Sequence, residues 1–338
     1  MVTRERPTLE AVARRAGVSR ATVSRVVNGS TTVAAAIRDA VVRAVEELGY
    51  VPNQAARSLV TQRTESIALI LPESASRVFS DDLFFPAVIR GVSLELEAAD
   101  KQLVLMMAGS AAGQERVQRY ATAGHVDGVM FASMHGTDPL PGRLARLGIP
   151  VVCSGRPMSP AHPAIPYVDV DHIGGVMAAV RHLLDLGRRR IATIAGPQDM
   201  VAGIDRLTGY RTALRDAGLP EHVAYGDFTR ESGIQAMRRL LADDPALDAV
   251  FVASDMMAHG ALQALRETGR RIPADVAVIG FDDFEISRLS DPPLTTVHQP
   301  IVDMGRTMAG QILGLVTATA DVPAAVVLPT KLVVRASA

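Results

Sequence analysis

The sequence predicts an α/β protein: an N-terminal helix-turn-helix headpiece followed by a two-lobed core built on parallel sheets. Three observations predict it. Two short amphipathic segments meet at Gly17, near the start of the chain. From Ser66 onward, apolar runs of strand length alternate with amphipathic helical segments. Charge is also unevenly placed, with ten arginines against five acids in residues 1–63, a net +5, and −6 on the remainder. A basic end on an acidic body suits nucleic-acid contact at one end only.

The headpiece begins with Leu9, Val12 and Ala13, which repeat on one helical face, and Pro7 and Thr8 stand before them with Thr8 at the N-cap position. Beyond Gly17, Ser19 caps a second helix whose buried face is Val23, Val26 and Val27. Two short helices joined by a tight glycine turn form a unit whose second helix enters a major groove. The outer face of that helix carries Arg20, Ala21, Thr22 and Arg25. Arginine grips guanine O6 and N7 with two donors, and alanine touches a thymine methyl. On this pattern alone, a helical hairpin that binds no DNA stays open. A third helix is expected over Ala34–Leu48, with Ile37, Val41, Ala44, Val45 and Leu48 inward and Gly49 ending it. Tyr50–Arg63 reads as a linker: Pro52 sets an extended start, Asn53 caps a short helix from Gln54 to Val60, and Arg57 and Arg63 are candidate phosphate contacts.

The strands of the core are expected in Ile67–Pro72, Leu103–Ala108, Gly128–Ser133, Pro150–Gly155, Ile191–Gly196, Ala249–Ser254 and Val276–Asp283, with helices such as Ala87–Ala99 and Ser232–Ala242 between them. Near-continuous apolar strands belong to parallel sheets covered on both faces. Ligands of such sheets bind beyond the carboxyl ends of the strands. Those ends carry Phe84, Phe85, Arg156, Asp169, Asp171, Arg206, Phe228, Ser254, Asp255 and Asp282. Aromatic faces, an arginine fork and a carboxylate suit a polyol, through stacking on C–H faces and paired hydrogen bonds to hydroxyls. Structural roles stand beside these. Phe84 and Phe85 fit a core, one of Asp169 and Asp171 fits a helix cap, Asp255 fits the cap of the helix beginning MMAHG, and Arg206 with Asp282 fits an interlobe salt bridge.

Composition narrows the function. The chain has 338 residues, 48% of them hydrophobic, enough for two or three domains. A single cysteine, Cys153, excludes a disulfide framework and a thiolate metal cluster. No signal segment and no membrane-length apolar run is visible, so a cytoplasmic protein is expected. There is no GxxxxGK[ST] loop, no GxGxxG after the first strand, no GxSxG elbow and no HExxH spacing. His172 and His182, ten apart, flank one helical segment and fit surface or cap positions. Neither an enzyme nor a bound cofactor or metal is expected.

The run TLEAVARRAGVSRATVSRVVNG (Thr8–Gly29), continued by EELGYVPNQAARSL (Glu46–Leu59), closely resembles the N-terminus of the LacI/GalR family of bacterial transcriptional regulators. The resemblance implies a headpiece over residues 1–49, a hinge-helix linker over 50–63 and a periplasmic-binding-protein-like core over 64–338. The lobes would be discontinuous, about 64–165 with 294–323 and about 166–293 with 324–338. It adds Thr8, Ser19, Ser24, Asn28, Tyr50, Asn53, Ala56, Arg57 and Leu59 to the DNA-binding set. Leu59 would be a minor-groove wedge, in a linker helix that folds when two copies meet on DNA. It places Arg206, Phe228, Asp282 and Ser254 on effector-contact motifs, with Phe84, Phe85, Arg156 and Asp171 as further candidates.

Four positions depart from the family pattern. Ala34 and Ile37 replace a Ser and a Thr that cap the third helix and touch phosphate, a loss of about 1 kcal/mol in the cap. Thr31 or Thr32 is the available substitute. Ser254 and His172 stand where the family usually has Asn. The expected protein is a homodimeric repressor on a near-palindromic DNA operator, released by a small carbohydrate effector. A corepressor-dependent regulator of a non-sugar metabolite is the alternative.

Overall fold

A computed structural model describes residues 7–27, 30, 32–51, 63–80, 83–136, 138–158, 165–319 and 321–338. The chain divides into two compact units, Met1–Thr64 and Glu65–Ala338. Among the described residues, no helix is long and apolar enough to cross a membrane.

The described residues of the first unit form three helices, α1 (Leu9–Ala16), α2 (Arg20–Val27) and α3 (Ala35–Leu48). Thr8 caps α1 by accepting the Ala11 N–H, and Ser19 accepts the Thr22 N–H at the start of α2. Gly17 ends α1 at φ 68°, a left-handed conformation that costs glycine nothing and lets α2 turn back at once. Val12, Ala13, Val23, Val41 and Ala44 form the small core, with Tyr50 closing it. One expectation fails here: Ile37, expected inward, is 39% exposed. Tyr50, a DNA-binding candidate, is 8% exposed and packs with the headpiece core. Ala34 leaves α3 without a side-chain cap, and Thr32 does not substitute, since its hydroxyl pairs with Ser30. Arg38 donates to the Ser30 carbonyl instead and ties down the preceding loop. Asn28, Thr31, Asn53, Ala56, Arg57 and Leu59, and with them the whole of the expected linker helix, lie outside the described residues.

The second unit runs β1 (Ser66–Leu71), α4 (Ala75–Val78), α5 (Phe84–Ala98), β2 (Gln102–Met107), α6 (Ala111–Thr122), β3 (Gly128–Phe131), α7 (Leu140–Arg146), β4 (Val151–Ser154), β5 (Tyr167–Val170) and α8 (His172–Asp185). It continues β6 (Ile191–Ala195), α9 (Val201–Asp216), β7 (Val223–Tyr225), α10 (Arg230–Asp243), β8 (Ala249–Val252), α11 (Asp255–Glu267), β9 (Ala277–Asp282), α12 (Glu285–Leu289), β10 (Thr295–His298), α13 (Ile301–Thr317), β11 (Ala325–Leu328) and β12 (Lys331–Val333).

Two six-stranded sheets result, in the orders β11-β5-β4-β3-β1-β2 and β12-β10-β9-β8-β6-β7. All pairings are parallel except β10 with β12. The period of two along β1 explains its burial on both sides. Ile67, Leu69 and Leu71 pack beneath α5 and α13, while Ala68 and Ile70 pack with α6 and α7. Each fully buried aliphatic side chain contributes about 1.5–3 kcal/mol.

The lobe limits differ from those expected. β5 and β11 belong to the first sheet and β10 to the second, so the first lobe reaches Val170 and takes back Ala325–Leu328. The chain therefore crosses between lobes three times, after Val170, after His298 and after Leu328. The crossings run side by side. The Asp171 N–H donates to the Leu328 carbonyl at 2.9 Å, the Thr330 hydroxyl to the Asp171 carbonyl at 3.0 Å, and His298 pairs with Lys331.

Candidate functional site

Strand order reverses in the first sheet between β1 and β3 and in the second between β6 and β8. Crevices open at the carboxyl ends of strands where order reverses. The two crevices face one another across a shared cleft with two adjoining compartments. Phe84, Ser133, Met200, Arg206 and Gln299 line both.

Arg206, on α9, is the centre of the charged network and is only 4% exposed. Its Nη1 donates to the Ala253 carbonyl at 2.6 Å, its Nη2 to Gln299 Oε1 at 3.4 Å and its Nε to His172 Nδ1 at 3.3 Å. Its Nη1 lies 3.5 Å from Asp282 Oδ1, and its guanidinium sits 3.8 Å above the Phe281 ring. Arg206 and Asp282 are both in the second lobe, so the expected interlobe role of this pair is corrected. Asp282, at φ 124°, also accepts from Gln299 Nε2 at 2.5 Å. The left-handed backbone turns the end of β9 so that the carboxylate lines the cleft.

The His172 ring lies 5.7 Å from that of Phe281, tilted by 40°, and is buried among charges. Burial first, then the neighbouring Arg206, hold its imidazole below the ordinary 6.5. A neutral ring then accepts from Arg206 at Nδ1 and donates from Nε2 to Asp169 Oδ1, 3.3 Å away. One donor and one acceptor are what the family's asparagine supplies, so this departure keeps the hydrogen-bond pattern. Burial opposes ionisation of Asp169, yet hydrogen bonds from His172 and from the Val170 and Arg156 N–H groups hold its carboxyl below the usual range. The neutral imidazole makes core stability fall as pH drops through about 6.5, because the unfolded chain takes up a proton that the buried ring refuses. The slope reaches at most about 1.4 kcal/mol per pH unit for one proton. Urea midpoints at pH 5 to 8 should show that slope in the parent and a flatter one in His172→Asn.

The aromatic pair divides its labour. Phe85 is 2% exposed and belongs mainly to the core, while Phe84, edge-on to it at 5.6 Å, presents its ring to both compartments. Phe228, at φ 68°, lines one compartment from the second lobe. Gly196 makes room for it, since a Cβ there would sit 2.4 Å from the ring.

The expectation for the two aspartates at the end of β5 is reversed. Asp171, named as an effector contact, caps α8 by accepting the Gly174 N–H at 2.8 Å and lies outside the cleft lining. Asp169 lines the cleft instead. A similar exchange occurs at α11. Ser254 is its cap, accepting the Met257 N–H at 3.2 Å while still lining the cleft. Asp255, expected as the cap, is fully buried and accepts from the Phe284 N–H and the Thr296 hydroxyl. Burial and the nearby Asp282 push its carboxyl well above the ordinary carboxylate range.

Arg156, after β4, forks onto Asp205 of α9, with Nη2 donating at 2.7 Å and Nη1 also engaged. This pair bridges the two lobes. Asp205, Ser133, Met200 and Gln299 were missed from sequence. Each sits one to four residues off a strand or helix end, where pattern alone does not separate lining from packing.

In the headpiece, Arg20, Ala21 and Arg25 are exposed on one face of α2, with Thr22 and Ser24 half-buried beside them. Arg20 lies 3.2 Å from Glu10, an exposed pair that solvent screens. Thr8 and Ser19 are exposed caps at the starts of α1 and α2.

Residues 8–53 match the family of lacI bacterial regulatory proteins, and residues 180–338 match the periplasmic binding protein-like domain. The HTH-type transcriptional regulator CelR of Thermobifida fusca is 49% identical over 340 residues, spanning 100% of both chains. This chain belongs to the LacI family. Catabolite control protein A of Priestia megaterium is 33% identical, over 88% of this chain and 89% of that one. Among solved structures, a transcriptional regulator CelR–cellobiose complex superposes with TM-score 0.78 at 47% identity, covering 98% and 100% of the two chains. The Lac repressor dimer bound to operator and the anti-inducer ONPF superposes with TM-score 0.85 at 29% identity, covering 98% and 99%. The protein is thus a DNA-binding transcriptional regulator of the LacI family and not an enzyme.

Proposed function

We propose that this LacI-family regulator is a cytoplasmic repressor, bound as a homodimer to a near-palindromic operator and released by a carbohydrate, with β-linked disaccharides of the cellobiose type as the favoured class. The observation that carries this reading is the cleft. Two compartments share Phe84 on one wall and Arg206 on the other, with Asp282, Asp169 and Ser254 around them. Two contiguous spaces, aromatic faces and fixed donors and acceptors suit two linked sugar rings. The relative bound to cellobiose, at 47% identity, supports the same class.

On DNA, Arg20 and Ala21 set base preference, Arg25 and Thr22 support them, and Thr8, Ser19 and Ser24 hold phosphate. Effector binding shifts the lobe next to the hinge and weakens operator binding by reciprocal coupling, typically about 1–3 kcal/mol. The test is fluorescence anisotropy of the purified protein on its own upstream DNA at two salt concentrations, with cellobiose, lactose, maltose and purine bases. Tight, salt-sensitive binding released by cellobiose is the expected result. Release by a purine alone overturns the carbohydrate assignment, and tightening by any ligand reverses the sign of control.

A further inference from the structure

At the mouth of the cleft, His135 stands between two carboxylates from different lobes. It follows β3 in the first lobe, and its Nε2 lies 2.9 Å from Glu73 Oε1, just past β1. Its Nδ1 lies 2.9 Å from Asp199 Oδ2, on the second-lobe loop between β6 and α9. The neighbouring Gly136 N–H donates to the Asp199 carbonyl at 2.6 Å, so one loop grips the other by backbone and side chain together. The grip is wired to the cleft at both ends. Ser133, which lines both compartments, donates its hydroxyl to the same Glu73 oxygen at 2.9 Å. Asp199 lies two residues before α9, the helix that carries Asp205 and Arg206.

We propose that Glu73, His135 and Asp199 form a proton-dependent latch that holds the lobes closed, and that His135 is a positioning residue which sets how readily the cleft shuts. The latch belongs to the lobes themselves and does not depend on which effector fills the cleft.

The physical case rests on charge and on which contacts survive opening. Both ring nitrogens face carboxylates, so the ring donates at both only as imidazolium. The hydrogen bond to Glu73, and after it that to Asp199, raise the His135 pKa to about 9 against partial burial. The groups facing it are these two acids. Arg77 of α4 acts on Glu73 from behind, and Asp138 turns away to the Leu140 N–H and Gln114. Opening the lobes removes Asp199 and leaves Glu73, so the open form binds the proton less tightly. Closure is therefore favoured below the open-state pKa, and the advantage is lost as pH rises through about 9. The second interlobe bridge, Arg156 with Asp205, serves as the contrast. Its hydrogen bond to Asp205 raises the Arg156 pKa further, so the guanidinium keeps its charge across the same range.

The test uses the full chain without effector. Spin labels on Ala112→Cys of α6 and Arg239→Cys of α10 report the interlobe distance, with unlabelled chain in excess to suppress distances between copies. Both positions are exposed, and Cys153 is fully buried, so labelling is selective. The parent should hold one short distance from pH 6 to 8 and shift to a longer one between about pH 8.5 and 10. Asp199→Asn should show the longer distance already at pH 7 and no alkaline transition. Asp205→Asn should lengthen the distance and keep the alkaline transition. Imidazole NMR, assigned with His135→Gln, should titrate near 9 in the parent and lower in Asp199→Asn. An alkaline transition that survives in Asp199→Asn, or a parent distance unchanged to pH 10, overturns the latch. Neither result bears on whether a carbohydrate is the effector.

Discussion

Arg206→Ala is expected to abolish the effector response while leaving operator binding in place. The guanidinium holds Ala253, Gln299, His172 and Asp282 in one arrangement and is nearly inaccessible to water. Removing it takes a forked donor from the cleft and leaves Asp282 buried without its counter-charge, a change worth about 3–5 kcal/mol. Effector affinity should fall by at least about a hundredfold, since each tenfold is about 1.4 kcal/mol. Part of the loss is stability, so Arg206→Lys is the companion. Lysine keeps the charge and loses the planar fork, and it should fold better yet recover little affinity. Calorimetric titration with cellobiose, beside anisotropy on operator DNA, separates the effects. A folded Arg206→Ala protein with an unchanged effector midpoint would remove this residue from the site.

Arg20→Ala is expected to lose operator discrimination rather than general DNA affinity. Arg20 projects from the exposed face of α2, with 72% of its side chain accessible. Its ion pair with Glu10 is exposed and worth about 0–1 kcal/mol, so little holds it back from DNA. A bidentate contact to guanine carries about 1–3 kcal/mol of discrimination per copy, and a dimer presents two. Anisotropy on the natural operator and on one with the contacted pair replaced should converge for the variant. A uniform loss on every sequence, with a shallower salt slope, would instead assign Arg20 to phosphate.

Local patterns in the chain carried most of the fold. β1, β3, β6, β8 and β9 lie within two residues of their apolar runs, because a buried parallel strand leaves little choice of residue. Long-range pairing was not legible. Nothing in Tyr167–Val170 or Ala325–Leu328 states that β5 and β11 neighbour one another, since the partner of an edge strand is fixed by the whole sheet. Adjacent candidates also defeated pattern reading. Asp169 and Asp171 stand two apart where β5 ends, and only the start of α8 decides that the second is its cap. Ser254 and Asp255 are both good N-cap types, and the backbone places the serine at the cap and the aspartate one residue inside. Ile37 failed for a similar reason: three short helices close a core too small to take every apolar residue. The network around Arg206 was read only in part, because Gln299 and His172 approach it from crossings and helix starts distant in sequence.

The three parallel crossings between the lobes have a mechanical consequence. Three strands of chain laid edge to edge and pinned to one another behave like a strip hinge: they bend easily about the line they share and resist twist or slide. Opening is thereby confined to one swing, and every residue at the mouth travels on a predictable arc. The same arrangement gives redundancy. A protease that nicks one crossing leaves two covalent links and the hydrogen bonds between them, so the nicked protein keeps both halves in register. A circular permutant with new termini at Thr330 should accordingly still fold and still swing.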